Sequence, residues 1–238
     1  MQKLSYLKPQ TLKEALGYLN EYGAKVKPYA GGTDLMVQLR EGSSRLKDVE
    51  YLMDVQALPE LRGIEVLDDC IRIGAMTSHT EVNESEVLRK HVPFLSIASS
   101  TVGSTQIRNK GTVGGNICNA SPAADTLSPF VALNARLTVV SVDGERQVMV
   151  KDAMEKAGKL KLAANEMVTC ITIDRVECAE ALVVGKAPSA ELFEEAGKAV
   201  SEEMIKRTGI RWSTEYKKPV IEALIQRALW RAAGLPED

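Results

Sequence analysis

Two glycine pairs constrain what this chain can become more than any other feature of its sequence. Gly31-Gly32 lies in Tyr29-Ala-Gly-Gly-Thr-Asp-Leu35, and Gly114-Gly115 lies in Arg108-Asn-Lys-Gly-Thr-Val-Gly-Gly-Asn-Ile-Cys-Asn119. Each pair stands where a β-like run gives way to a polar segment. Because glycine has no Cβ, backbone N–H groups at such positions can approach a phosphate closely. The pairs therefore predict a site for a pyrophosphate.

The composition is that of a soluble globular protein, and its charge excludes one broad class of function. The 238 residues are 45% hydrophobic and 26% charged, enough for two or three subdomains. A formal net charge of -2 offers no strong positive field to a nucleic-acid backbone. We find no apolar run of about 18 residues and no signal-peptide core at the N-terminus. A cytoplasmic protein without a membrane span is expected.

The cysteines are too scattered to predict a metal site. No two of them form a CxxC pair, the spacing typical of zinc and redox sites; they are Cys70, Cys118, Cys170 and Cys178. Buried or half-buried free thiols are the expected state. No metal ion is therefore expected on this chain.

Residues 1–55 predict a small α/β subdomain that carries the first glycine pair. A short strand ends at Ala30, and apolar residues at helical spacing follow from Asp34 to Arg40. The glycine turn then lies at a helix N-terminus, where unpaired N–H groups and the helix dipole favour an anion.

Residues 56–176 predict a second α/β subdomain that is richer in strands, and residues 177–238 predict a helical end. In the second stretch, Asp143-Gly144 is a hairpin-turn dipeptide, and the second glycine pair is expected in a loop. Apolar periodicity and capping signals predict strands over 64–66, 71–74 and 137–142, and helices over 78–90, 93–101, 190–205 and 217–233.

Three ordered motifs resemble one known family. Ala30-Gly-Gly-Thr-Asp-Leu35, Ile73-Gly-Ala-Met-Thr-Ser-His-Thr80 and the segment from Gln106 to Asp125 look like the FAD-binding medium subunit of molybdenum hydroxylases. That family includes xanthine dehydrogenases and molybdenum carbon monoxide dehydrogenases. The resemblance runs from about residue 3 to residue 176.

The resemblance implies a mixed α/β fold of the vanillyl-alcohol-oxidase-like class, with two α/β FAD-binding subdomains and a third, C-terminal domain. It places the flavin between the first two. Carried over position by position, it assigns the first pyrophosphate loop to Ala30, Gly31, Gly32, Thr33, Asp34 and Leu35. It assigns the second pyrophosphate loop to Thr112, Gly114, Gly115 and Asn116. Asp125 is expected to bond the ribityl hydroxyls, with Asn119 nearby. The isoalloxazine side is expected to be lined by Thr105, Ile107 and Arg108, and the cofactor to be enclosed with the help of Ile73 and Thr77.

The same resemblance implies an oxidoreductase component that carries electrons. Substrate oxidation would take place at a molybdopterin on a large partner subunit, electrons would pass through 2Fe-2S clusters on a small partner subunit, and FAD on this chain would pass them to NAD or another acceptor. No side chain here need act as an acid or base, so no catalytic residue is assigned. Two alternatives stay open: an assembly subunit that has lost its flavin, and a free-standing flavin oxidase.

Four further residues have competing interpretations. Asp34 suits a helix N-cap as well as a ligand contact. His79 and His91 lack neighbouring ligands, which favours structural roles over catalytic ones. Cys118 is expected to be a packing residue beneath the flavin rather than a redox centre.

The C-terminal third departs from the family pattern. Between Ile173 and Ala179, relatives carry a longer segment with a strand pair and a basic stretch beside the flavin. A shortened, mainly helical C-terminal domain is therefore expected, and one wall of the flavin pocket can be incomplete.

Overall fold

The computed structural model describes residues 4–174, 183, 185–208 and 214–234. The chain divides into two compact units, Met1–Asp174 and Arg175–Asp238. The segment just after Ile173, where the resemblance predicts a shortened chain, falls largely outside the described residues, as does Cys178.

The N-terminal part of the first unit is a three-stranded parallel sheet with its helices. In chain order, the elements are β1 Ser5–Leu7, α1 Leu12–Tyr22, β2 Val26–Tyr29, α2 Leu35–Arg40 and β3 Tyr51–Asp54. The strand order is β1-β3-β2, so the last strand lies in the centre. β3 is an addition to the predicted strand, helix, strand, helix order. The predicted strand and helix on either side of the first glycine pair are confirmed.

This first sheet has its own hydrophobic core. Helix α1 begins after Thr11, whose hydroxyl accepts from the Glu14 N–H at 3.2 Å. Its buried stripe of Ala15, Leu16 and Leu19 packs in one cluster with Met53 of β3. Burial of a continuous apolar stripe fixes α1 on the sheet.

The rest of the first unit is built on a five-stranded antiparallel sheet of order β4-β5-β10-β6-β7. Its strands are β4 Ile64–Val66, β5 Cys70–Gly74, β6 Arg136–Ser141, β7 Gly144–Met149 and β10 Met167–Asp174, while β8 Met154–Lys156 and β9 Lys159–Leu160 form a separate pair. β10 takes the central position, as its nearly unbroken burial requires. The predicted hairpin between β6 and β7 is confirmed, with its turn at Val142-Asp143, one residue before the expected dipeptide.

Short helices cover this sheet and carry the second glycine pair. They are α3 His79–Glu84, α4 Glu86–His91, α5 Pro93–Thr101, α6 Thr105–Lys110, α7 Val113–Asn119, α8 Leu127–Ala132 and α9 Val150–Ala153.

Two predictions in this region are wrong. The single helix predicted over 78–90 is two helices, because Ser85 adopts an extended conformation and its hydroxyl accepts from the Leu88 N–H. Ser and Thr compete in this way for backbone donors and so begin new helices. The second glycine pair lies in the first turn of α7 rather than in a loop, since the Thr112 hydroxyl caps that helix by accepting from the Gly115 N–H at 3.1 Å.

The second unit is described as a pair of helices, α10 Ala190–Thr208 and α11 Thr214–Ala232. The rings of Phe193 and Trp230 meet edge to face at 5.0 Å. The Ser201 hydroxyl donates to the Glu222 carboxylate at 2.8 Å. Gly197 permits close approach, because a Cβ there would stand 2.9 Å from the Glu222 carbonyl oxygen. The expected helical end is therefore present, and both helices are longer than predicted.

Phe130 offers a test of the main core, because its ring is fully buried among residues from β5, β6 and α5. We expect Phe130→Ala to lower the free energy of unfolding by about 3 to 5 kcal/mol. The matched control is Phe94→Ala, because 43% of the Phe94 side chain is exposed, and it should change stability by less than about 1 kcal/mol. Urea unfolding followed by far-UV circular dichroism measures both, and equal effects would contradict the placement of this core.

Candidate functional site at two glycine turns

The first glycine turn presents a row of free backbone donors. It links β2 to α2, and Gly32 turns the chain with a φ of 71°, in the left-handed region that favours glycine. In the part of the chain that the structure describes, none of the N–H groups from Gly31 to Leu35 donates to an acceptor. Consecutive unpaired N–H groups at the start of a helix form a concave site for an anion. Asp34 stands at the N-cap position as expected, but its side chain makes no capping hydrogen bond.

Gly31 has a second role, which is to let two chain segments cross. A Cβ on Gly31 would overlap the carbonyl oxygen of Lys110 and lie 2.9 Å from the α-carbon of Gly111. The first turn therefore rests directly on the segment that leads into α7. On its other side, the Gln56 side chain donates to the Ala30 carbonyl at 2.8 Å. The missing side chain is thus required by packing against protein backbone as well as by any ligand.

The second glycine turn differs from the first because its backbone donors are already used. The Val113 N–H donates to the Thr77 carbonyl at 3.0 Å, and the Gly114 N–H donates to the Ala75 carbonyl at 3.0 Å. The Gly115 N–H is held by Thr112, as described above. A Cβ on Gly114 would stand 2.6 Å from Ala75. This pair therefore packs α7 tightly against the end of β5, and the groups that it leaves available are on side chains.

Both turns line one cleft of about 640 Å³ inside the first unit. That volume lies within the range of small-molecule sites. Twelve predicted site residues line it: Ala30, Gly31, Gly32, Thr33, Asp34, Leu35, Ile107, Thr112, Gly115, Asn116, Asn119 and Asp125. Five predicted residues do not: Ile73, Thr77 and Gly114 are buried, whereas Thr105 is exposed and Arg108 is half-buried.

On the side of the cleft formed by the second glycine turn, side chains supply both hydrogen-bond donors and acceptors. The side-chain Oδ1 of Asn116 accepts from the Thr126 hydroxyl at 2.7 Å, and Oδ1 of Asn119 accepts from the Gln38 side-chain amide at 3.1 Å. Each asparagine NH₂ group is left as a donor. The Asp125 carboxylate is exposed and makes no hydrogen bond within the described residues. An ionised carboxylate only accepts, which suits a hydroxyl-rich chain.

Arg108 makes hydrogen bonds within its own segment, and its predicted contact with a flavin ring stays a prediction. Its guanidinium donates to the carbonyls of Val102 and Gly103, both at 3.2 Å, and to the Thr105 hydroxyl at 3.0 Å. These bonds close the turn before α6 and hold Ile107 in the wall of the cleft. The sequence does not show them, because an arginine between two polar turns looks the same whether it binds a ligand or its own backbone.

His79 also lies in the wall of the cleft, although it was not among the predicted site residues. Its side chain is only 1% exposed, yet it lines the cleft, and its Nδ1 has no hydrogen-bond partner. Burial lowers the pKa of His79 to about 4, opposed by the charge of Asp125 and reinforced by that of Arg108. The imidazole is therefore neutral near pH 7.

Charged residues from distant parts of the chain were missed as well. Four basic side chains line the cleft against the two carboxylates of Asp34 and Asp125: Lys27, Arg45, Lys156 and Lys159. This balance favours an anionic ligand. Cys118 is exposed at the same wall, whereas a buried or half-buried thiol was expected; its place beneath the flavin stays a prediction. No local sequence signal brings these residues together, since they come from separate elements.

Comparison with known proteins decides the family. Residues 2–174 match the family described as the FAD binding domain in molybdopterin dehydrogenase. The chain belongs to this family. Its FAD-binding domain thus coincides with the part of the molecule that holds both glycine turns and the cleft.

Curated relatives agree with this assignment. The chain is 37% identical to the nicotinate dehydrogenase FAD-subunit of Eubacterium barkeri over 180 residues, which cover 74% of this chain and 60% of that protein. It is 35% identical to the xanthine dehydrogenase FAD-binding subunit of Escherichia coli O157:H7 over 164 residues, which cover 68% of this chain and 55% of the relative. The chain therefore spans little more than half the length of these relatives.

Solved structures share the fold. A carbon monoxide dehydrogenase chain from Hydrogenophaga pseudoflava superposes with a TM-score of 0.70 at 23% identity, covering 97% of this chain and 98% of that one. A chain of quinoline 2-oxidoreductase from Pseudomonas putida 86 gives 0.68 at 21% identity, covering 98% of each. The mixed α/β fold is thus shared with these two chains, and the family model and curated relatives place the chain in a family of oxidoreductases.

The residues of the FAD-binding domain fit the cofactor chemically. The open N–H groups from Gly31 to Leu35 suit a pyrophosphate, and the free Asp125 carboxylate suits ribityl hydroxyls. Over the residues that the structure covers, no group of three His, Cys, Asp or Glu side chains could hold a metal ion. Within the same residues, every helix is too short or too polar to cross a membrane.

The crossing of the two turns can be tested at Gly31. We expect Gly31→Ala to destabilise the chain by about 1 to 3 kcal/mol, because the new methyl group must displace the Lys110 backbone, and to weaken FAD binding. Gly17→Ala is the matched control. Gly17 lies in α1, and a Cβ added there would have no atom outside its own helix turn within 4 Å, so this change should stabilise by about 0.5 to 1 kcal/mol. Thermal unfolding of both variants should show opposite signs, and a neutral Gly31→Ala would refute the crossing.

The buried imidazole predicts a pH dependence of stability. The pKa of His79 is about 4 in the folded chain, below its ordinary value of 6.5, so the unfolded chain binds the proton more readily between these values. The free energy of unfolding should therefore fall as the pH falls from about 6.5 to about 4. His79→Leu should lose this part of the slope, whereas His91→Leu should keep it. Urea unfolding in a pH series measures the difference, and identical slopes in all three proteins would refute burial of a neutral His79.

Proposed function

We propose that this chain is the FAD-binding electron-transfer subunit of a molybdopterin-dependent hydroxylase or dehydrogenase. The observation that carries the proposal is the row of free N–H groups from Gly31 to Leu35, which faces a cleft with more basic than acidic side chains. Membership of the FAD-binding family and the names of its relatives support the same reading.

In this proposal the chain's own residues bind and orient the cofactor. The first glycine turn holds the pyrophosphate through backbone donors, and Lys27 and Arg45 add positive charge to the same cleft. Asp125 accepts hydrogen bonds from the ribityl hydroxyls, while the NH₂ groups of Asn116 and Asn119 are available as donors. Ile107 contributes an apolar surface for the flavin ring. When bound, FAD supplies the electron-transfer chemistry, and no side chain need exchange a proton with substrate.

The partners follow from the relatives rather than from this chain alone. Their names include FAD subunits and a medium chain of carbon monoxide dehydrogenase, which are components of larger enzymes. By analogy, a large subunit with molybdopterin would oxidise the substrate, and a small subunit with 2Fe-2S clusters would deliver electrons here. NAD or another acceptor would receive them. The isolated chain would then hydroxylate nothing, and its cytoplasmic location stays a prediction.

Absorption spectroscopy tests the first half of the proposal. The purified chain is mixed with FAD, desalted and scanned, and we expect flavin absorption to stay with the protein. Gly17→Ala should retain it, and Gly31→Ala should lose most of it. A colourless wild-type chain would overturn the proposal and favour an assembly subunit without flavin.

Purification from the native organism tests the second half. The tagged chain should co-purify with two further subunits, and the complex should contain molybdenum and iron together with FAD. Reduction of that flavin by the substrate of the complex, absent when the large subunit is removed, is the expected result. A flavoprotein that turns over a substrate alone would contradict the proposal and favour a free-standing oxidase.

A further inference from the structure

The imidazole of His79 is buried without a hydrogen-bond partner from the protein. More than nine-tenths of buried polar groups in proteins have a hydrogen-bond partner, and leaving one without a partner is destabilising. Nδ1 of His79 has none, and among the described residues neither ring nitrogen makes a hydrogen bond. The other such buried side-chain atom, the Ser99 hydroxyl oxygen, lies outside the cleft wall. The unpaired imidazole is thus in the wall where a ligand is expected.

The backbone around His79 is fixed by hydrogen bonds, so the missing partner of its imidazole is not explained by a mobile segment. Ser78 and Glu81 form a complete capping box at the start of α3. The His79 N–H donates to the Gly111 carbonyl at 3.1 Å. The imidazole also packs on Gly111, since a Cβ there would stand 3.2 Å from His79 Cδ2 and 3.6 Å from the Thr33 hydroxyl. His79 therefore stands beside the crossing of the two glycine turns.

At the second glycine pair the backbone donors are used within the protein, and His79 can supply one to the cleft from its side chain. The N–H groups of Val113, Gly114 and Gly115 are all used within the protein. A neutral imidazole carries one N–H donor and one acceptor nitrogen. Because Nδ1 is sealed from the cleft, the nitrogen that can donate to a phosphate oxygen without an ion pair is Nε2, which makes no hydrogen bond within the described residues.

We propose that His79 is a cofactor-binding residue that donates a hydrogen bond to the pyrophosphate of FAD from the side of the second glycine turn. The inference rests on the proposed function, because it requires FAD in this cleft. A purely structural histidine would instead stabilise the chain without FAD. The two roles therefore predict opposite effects of removing the imidazole.

Variants separate these roles. His79→Leu keeps a similar volume and removes both ring nitrogens, and His79→Gln keeps a donor. For a binding role, His79→Leu leaves the thermal midpoint without FAD unchanged or raised at pH 7 and raises the Kd for FAD about tenfold, which corresponds to about 1.4 kcal/mol. His79→Gln recovers part of the affinity. His91→Leu, which changes the only other histidine of the chain, leaves the Kd unchanged.

Isothermal titration with FAD and thermal unfolding without it give both readouts. A His79→Leu protein that is less stable but binds FAD like the wild type overturns the inference and leaves the proposed function standing. A wild-type chain that does not bind FAD overturns both.

Nitrogen NMR tests the contact in the unaltered protein. With only two histidines in the chain, ring-¹⁵N labelling gives two imidazole spin systems, and His91→Leu assigns them. FAD should shift the ring nitrogens of His79 toward hydrogen-bonded values and leave those of His91 in place. Unchanged His79 signals in the FAD-saturated protein would overturn the inference.

Discussion

The contact between Gly31 and the backbone at Lys110 is the constraint on which the rest of the site depends. It joins the parallel sheet of the N-terminal part to the segment that enters α7, at a distance that no side chain would permit. A hydrogen bond from Gln38 to Asn119 crosses the same junction, and one from Gln56 to Ala30 holds the first turn on its own side. Because both turns are fixed to each other, the cleft between them has a defined shape before any ligand enters, which lowers the ordering cost of binding.

The two glycine pairs look alike in sequence but differ in what they leave available. The N–H groups of the first turn are free, whereas those of the second donate to carbonyls just after β5 and to the Thr112 cap. The reason is topological. The first pair joins a parallel strand to a helix, so its amides face outward from the end of the sheet. The second pair is packed on Ala75 at the end of an antiparallel strand, where neighbouring carbonyls are close enough to accept.

Local signals predicted local structure well, and they failed where distant residues meet. The strand, glycine turn and helix around Gly31 and the hairpin after Ser141 follow from neighbouring residues, and the structure confirms them. The break at Ser85 was missed because serine tolerates a helix interior and also begins a new one. The burial of His79, the task of Arg108 and the basic wall of the cleft depend on tertiary contacts between separate elements, which a single sequence does not encode visibly.

Because the first turn presents backbone donors, its side chains can change during evolution without loss of the site. Every residue type except proline carries the same N–H group, so Thr33, Asp34 and Leu35 can be exchanged without altering the donors that they present. What must persist is the path of the chain, which Gly31 and Gly32 set. A lineage can thus drift widely in the side chains of the first turn while its ligand stays the same, and a proline there would be the more damaging replacement.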